Sequence, residues 1–232
     1  MSKFHSLSLA TVTKDFYKKQ QQKKTRNNVW EEMAKNVGWN SLEIQGLGFE
    51  LATDFPKLNW NHIHSVLDVG CGYGSLSYFL RKEKMYQGSY TGIDLIPEFI
   101  KKAKELYGSD KRNQFINGNF LDNCCTSEYD VVISIGAIGL NYDFPNEYGE
   151  KSLTYAKKII FKMNQISKLG LSFYFPNVCN LSEETKKSGI AYYQPSSIKQ
   201  IIQEANPKRS HNLKIDSYPK TTNAKTMVRI WF

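Results

Sequence analysis

The chain has 232 residues, 41% of them hydrophobic, and carries 31 Lys or Arg against 22 Asp or Glu. That length suits one α/β domain with an appended segment and a sizeable core. No run approaches the ~18 apolar residues of a membrane span, and MSKFHSLSLATVTKDF at the start holds neither a continuous apolar stretch nor a small-residue cleavage signal, so export is not expected.

The formal net charge of +9 is unevenly spread: residues 1–30 carry seven Lys or Arg against Asp15 alone. A phosphate-binding arm would use such a run, but a solvated helix face is the commoner outcome. Aromatic residues are not interleaved with these lysines as a stacking platform requires. The four cysteines, Cys71, Cys124, Cys125 and Cys179, form no C-x-x-C pair and no zinc spacing. They read as free thiols in a reducing, cytoplasmic compartment.

In chain order, residues 13–37 read as helical, interrupted by the polar run QQQKKTRNN and resuming at Val29, Trp30, Met33, Ala34 and Val37. Gly38 stops it. Asn40-Ser41-Leu42-Glu43 starts a second helix, with Glu43 at the capping-box position, that runs to about Asp54. From Ser65 onward strand and helix alternate, the signature of a parallel sheet covered on both faces. The predicted strands are 65–69, 89–94, 114–117, 129–134 and 171–175. The helices between and after them are 74–84, 98–106 with Pro97 in its first turn, 150–167 and 195–205. Two last strands, 213–218 and 226–232, are close enough to form a hairpin.

The most informative stretch is Ser65 to Phe79, SVLDVGCGYGSLSYF. An apolar strand feeds Gly70, Gly72 and Gly74, and a helix follows, so bare backbone N–H groups face a ligand. A dinucleotide loop and an S-adenosylmethionine loop both have this form. The dinucleotide fingerprint needs glycine at position 75, where the chain has Ser75. Asp94 ends the second strand, 20 residues after Gly74, where a carboxylate accepts from both hydroxyls of a ribose or caps the next helix.

Leu67-Asp68-Val69-Gly70-Cys71-Gly72-Tyr73-Gly74 resembles motif I of the class I S-adenosylmethionine-dependent methyltransferases. The resemblance covers roughly residues 38–232 and implies an α/β fold. That fold is a doubly wound, mostly parallel seven-stranded sheet with an antiparallel C-terminal strand, here with an N-terminal helical cap. Residues 1–55 would be the cap and 56–232 the methyltransferase domain. Gly38, Trp39, Ser41 and Gln45 are similar to a stretch preceding motif I in small free-standing, trans-aconitate-methyltransferase-like members.

The resemblance also implies a cofactor site built from Gly70, Cys71, Gly72 and Gly74, with Asp68 attracting the cofactor's amino group. Asp94 would hold the ribose and Leu95 pack on the adenine. Asn119 stands where an acidic residue commonly binds the adenine amino group, and its amide oxygen still accepts. Phe120 would add a wall, Ser134 and Gly136 the bed of the methionine moiety, and Trp39 a cover over its amino-acid end. Asn141 and Tyr142 are the polar candidates for acceptor contact. No catalytic base and no metal are implied.

The expected activity is in-line methyl transfer from S-adenosylmethionine to a small molecule, leaving S-adenosylhomocysteine. Ser134-Ile135-Gly136-Ala137 replaces the Asn/Asp-Pro-Pro-Tyr/Phe motif with which nucleic-acid amino-methyltransferases hold a flipped base. An RNA or protein methyltransferase using the basic arm is the alternative, and a non-catalytic binding module is a third reading. No membrane partner is expected.

Overall fold

In the central strands, apolar side chains alternate between two faces, and each face needs its own cover. The computed structural model describes residues 29–122, 127–143, 149–178, 189–206, 211–218 and 225–232. The basic arm, the predicted helix over 13–28 and Cys124, Cys125 and Cys179 lie outside them. Helices α1 (Val29–Asn36) and α2 (Leu42–Thr53) come first. Then follow β1 (Ser65–Val69), α3 (Ser75–Glu83), β2 (Ser89–Asp94), α4 (Pro97–Tyr107), β3 (Asn113–Asn117) and β4 (Tyr129–Ser134). The chain continues through α5 (Glu150–Ile166), β5 (Ser167–Pro176), α6 (Pro195–Ala205), β6 (Asn212–Tyr218) and β7 (Lys225–Trp231).

The strands form one seven-stranded sheet in the order β3-β2-β1-β4-β5-β7-β6. β1 through β5 pair in parallel, and β7 pairs antiparallel with both β5 and β6. This is the doubly wound sheet with an antiparallel insertion that the sequence predicts. Order reverses at β1, between β2 and β4, and such switch points open a crevice beyond the C-terminal strand ends.

Leu67, Val132, Leu171 and Val228 point to the face covered by Ile160 and Met163 of α5 and Ile202 of α6. Val66, Val131, Ile133 and Met227 point the other way, onto Phe49 and Ala52 of α2, Leu80 of α3 and Ile100 of α4. Burying each such side chain contributes roughly 1.5–3 kcal/mol. The second cluster also takes in Phe55, so the N-terminal helices share a core with the sheet.

Two predicted boundaries shift for physical reasons. Ser41, not Asn40, caps α2, its Oγ accepting from the Ile44 N–H at 3.1 Å. Glu43 is therefore one position too early for a capping box, and Glu31 of α1 accepts from the Leu42 N–H at 2.8 Å instead. β5 extends to ten residues because Ser167 pairs with Tyr129 of β4 at its start and β7 pairs with it from Gly170 to Pro176, which propensity does not register.

Polar side chains on the α2 face are bonded across the layers. Ser172 of β5 donates its hydroxyl to the Ala52 carbonyl at 2.8 Å. Arg229 of β7, its side chain fully buried, donates to the Asp54 carboxylate at 2.7 Å and the Asp54 carbonyl at 2.9 Å, and also pairs with Asp216. Asp54 is 54% exposed, so water takes over its half of the pair when Arg229 is removed, whereas the buried Arg229, without the Asp54 carboxylate, keeps only Asp216 and the residue-54 carbonyl. Asp54→Ala is expected to lower unfolding stability by about 2 kcal/mol, and Arg229→Met by less. Urea midpoints of the two variants check that ranking.

Candidate active site

The strand-to-helix turn after β1 holds its shape through β2. The Gly70 and Cys71 N–H groups donate to the Ile93 carbonyl at 2.9 and 3.1 Å, and the Gly72 N–H donates to the Asp94 carboxylate at 2.9 Å. The other Asp94 oxygen accepts from the Ile96 N–H at 2.9 Å. Gly70 and Gly74 both sit at φ +78°, a conformation that disfavours a side chain. A Cβ on Gly70 would also lie 3.1 Å from the Ala137 nitrogen, and one on Gly74 2.6 Å from the Phe115 ring.

Two clefts open around this turn and share Gly70, Asp94, Gly136 and Leu140. Leu95, Phe120, Tyr142 and Tyr155 line the one toward β2. The other is lined by Asp68, Cys71, Gly72 and Tyr73, by Trp39, Gln45 and Phe49 from the segment before β1, and by Tyr174 from β5. Trp39 lies 6.2 Å from the Tyr174 ring and edge-on to Phe49 at 6.3 Å.

Burial pushes Asp68 up to about 7, with the Asp94 charge adding to it, while the Tyr90 hydroxyl, donating at 2.6 Å, opposes the rise. Burial also lifts Asp94 to about 6 against its backbone donors, the N–H groups of Ile96, Gly72 and Leu95. The Cys71 thiol is pushed well up, first by burial and then by both carboxylates, so it is no nucleophile. These buried carboxylates retain open acceptor capacity at the cleft, which ligand hydroxyls or an ammonium would satisfy. Together with the bare glycine turn, they fit a nucleoside-bearing cation.

Thus Trp39, Asp68, Gly70, Cys71, Gly72, Asp94, Leu95, Phe120, Gly136 and Tyr142 come together on the cleft walls. Gly74, Asn119, Ser134 and Asn141 do not. Gly74 packs against Phe115 and begins α3. Asn119 turns its amide oxygen onto the Leu121 N–H at 3.0 Å. Ser134, fully buried, donates to the Val69 carbonyl at 3.0 Å and ties β4 to β1. Asn141, also fully buried, accepts from the Asp143 N–H and the Ser152 hydroxyl at the start of α5.

Sequence reasoning missed several neighbours. Tyr155 of α5 packs edge-on against Tyr142 at 4.6 Å, and Phe99 of α4 against Tyr73 at 5.1 Å. Both belong to the inward faces of their helices, which is the only signal they give. Lys162, on the same helix as Tyr155, donates its ammonium to the carbonyls of Phe120 and Asp122 and lies over the Phe120 ring at 4.9 Å. It holds the loop that carries a cleft wall, and nothing in its sequence context marks it. Among the described residues no group of His, Cys, Asp and Glu could hold a metal.

Asp68 ties this site to stability. Its folded pKa, about 7, lies above the ordinary carboxyl value of 3.8, so the fold holds the proton more tightly. The stability it contributes is whole below about pH 4 and is lost as pH rises through about 7. Asn at position 68 keeps an acceptor for Tyr90 and does not ionise. Between about pH 5 and 8, wild type should lose roughly 2 to 4 kcal/mol relative to Asp68→Asn. Denaturant melts at the two pH values measure this.

The comparisons agree with this geometry. The profile of a family described as methyltransferase domain matches residues 62–217. No curated protein sequence matches the chain. Among solved structures, magnesium protoporphyrin IX methyltransferase from Synechocystis PCC 6803 with bound S-adenosylhomocysteine superposes with a TM-score of 0.65 at 14% identity, covering 100% of this chain and 99% of that chain. The N-methyltransferase NodS from Bradyrhizobium japonicum WM9, in complex with the same molecule, gives 0.61 at 12% identity over 95% and 97%. A putative methyltransferase in complex with the Trm112 activator of Haloferax volcanii gives 0.58 at 17% identity over 82% and 90%. With two-thirds of its length matched and the strand order, glycine turn and carboxylates in place, the chain belongs to the methyltransferase-domain family and has the class I architecture of S-adenosylmethionine-dependent enzymes.

Proposed function

We propose that this chain transfers the methyl group of S-adenosylmethionine to a small-molecule acceptor, with residues 1–55 acting as a cap on the domain formed by 56–232. The supporting observation is the wall of Trp39, Gln45 and Phe49, contributed from before β1 and facing the glycine turn across one cleft. A site closed in this way suits a molecule that enters whole rather than a polymer laid across a surface.

The cofactor, when bound, supplies a methyl group already activated on a sulfonium. The chain's residues then have to bind, align and exclude water. Asp94 would accept from the ribose hydroxyls, while Leu95 and Phe120 would enclose the base, with Lys162 holding Phe120 in place. Asp68 would face the ammonium, and Gly70 and Gly72 admit the chain of the methionine moiety. Cys71 would add a small buried side chain, and Trp39 would cover the amino-acid end. Gly74, Ser134, Asn119 and Asn141 would serve as supports behind the walls. Tyr142 stands on the base side, so acceptor contact passes in this reading to Trp39, Gln45, Phe49 and Tyr174.

Calorimetric titration with S-adenosylmethionine and S-adenosylhomocysteine tests the reading. Micromolar binding is expected in wild type. Each charge-assisted hydrogen bond from Asp94 contributes about 1.5–3 kcal/mol, so Asp94→Asn should weaken binding by about a hundredfold. Lys162→Met leaves the ligand contacts intact and loosens one wall, so a loss of roughly three- to tenfold is expected. Absence of heat with the wild-type protein would overturn the proposal.

A further inference from the structure

Gln45 is 4% exposed and lines the cleft, yet its carboxamide has no hydrogen-bond partner among the described residues. Its polar atoms are not sealed off: they keep a share of the little surface the residue exposes and face the cleft, where a ligand's polar group can take the place of water.

Its place in the fold says which part of a ligand it faces. α2 lies along β5, with the Ala52 carbonyl bonded to Ser172. Gln45 lies seven residues before Ala52, about 10 Å back along the helix. The lining residue of β5, Tyr174, lies two residues beyond Ser172, toward the C-terminal end of the strand. β5 is on the opposite side of β1 from β2, which carries Asp94. Gln45 therefore belongs to the β5 side of the glycine turn, away from the Leu95 and Phe120 walls. The carboxylates lining this cleft, Asp68 and Asp94, oppose a second negative charge.

From this, and resting on the methyltransferase reading above, we infer that Gln45 is the specificity-determining contact for the methyl acceptor. The acceptor is a neutral aromatic molecule presenting a hydroxyl or amide to that carboxamide, against the rings of Trp39 and Tyr174 where they line the cleft. A carboxamide both donates and accepts, so it pairs with either group. Offset or edge-on rings add about 0.5–1.5 kcal/mol per pair for an aromatic guest. An acceptor carrying a carboxylate is disfavoured, which departs from the trans-aconitate-like members that the Gly38–Gln45 stretch resembles.

The test uses the full chain saturated with S-adenosylhomocysteine, with phenol and benzamide as neutral probes and benzoate as the anionic one. Intermolecular nuclear Overhauser effects from probe ring protons to the Gln45 side-chain amide, assigned by its loss in Gln45→Met, are expected for the neutral probes and absent for benzoate. Gln45→Met should weaken benzamide binding about tenfold while S-adenosylhomocysteine affinity stays within about twofold. Contact from S-adenosylhomocysteine itself, with a tenfold loss of its affinity in Gln45→Met, would overturn the inference by making Gln45 a cofactor ligand. So would benzoate binding as tightly as benzamide, or neutral probes at saturation that leave the Gln45 amide without contact. Because cofactor binding is read by calorimetry in the same samples, its failure removes the methyltransferase reading as well. Cofactor heat without the Gln45 contact removes this inference alone.

Discussion

One carboxylate organises the end of the sheet. Asp94 takes the Gly72 N–H with one oxygen and the Ile96 N–H with the other, so the turn after β1 and the turn after β2 are set by a single side chain. A carboxylate buried this deeply is costly unless its lone pairs are met, and its backbone donors meet only part of the need. The same group thus shapes the turn and leaves unmet acceptor capacity facing the cleft. Its cost of burial is what makes the site ready for a ligand with hydroxyls.

The opposite wall depends on a different contact set. α2 is held at its C-terminal half by Ser172 and, just past its end, by Arg229 through Asp54. Gln45 in its N-terminal half and Phe49 one turn further on line the cleft beside the glycine turn, and Trp39 is seated between Phe49 and Tyr174. The Glu31 carboxylate accepting from the Leu42 N–H joins α1 to α2 at the same edge. The cleft is therefore bounded on one side by sheet termini and on the other by helices whose position is dictated from β5 and β7.

Much of this was legible in the residues, and the exceptions share a cause. β1, β2, β4 and α6 have the predicted bounds, because β-branched runs and Pro195 mark them locally. Asp68, Asp94 and the glycines stand out because few arrangements other than a ligand turn call for them. What failed to show is what depends on partners far along the chain. The length of β5 is dictated by its partners β4 and β7, the Glu31 cap by the path between two helices, and the hold of Lys162 on Phe120 by packing across 42 residues. Asn119, Ser134 and Asn141 carry polar groups suited to a ligand, but backbone and hydroxyl partners within the fold take them up. Only accounting for each hydrogen bond in three dimensions separates such residues from Gln45.

The pairing of Arg229 with Asp54 has a kinetic consequence. The two residues are 175 positions apart, and β7 must insert between β5 and β6 before the guanidinium reaches its place. Contacts that close so long a loop form late, after the local strand–helix units have condensed. A chain emerging from a ribosome would complete the turn around Asp94 well before it could seat the wall that carries Gln45. The two walls of the cleft are thus completed in sequence, the sheet-end wall around Asp94 first and the helical wall last.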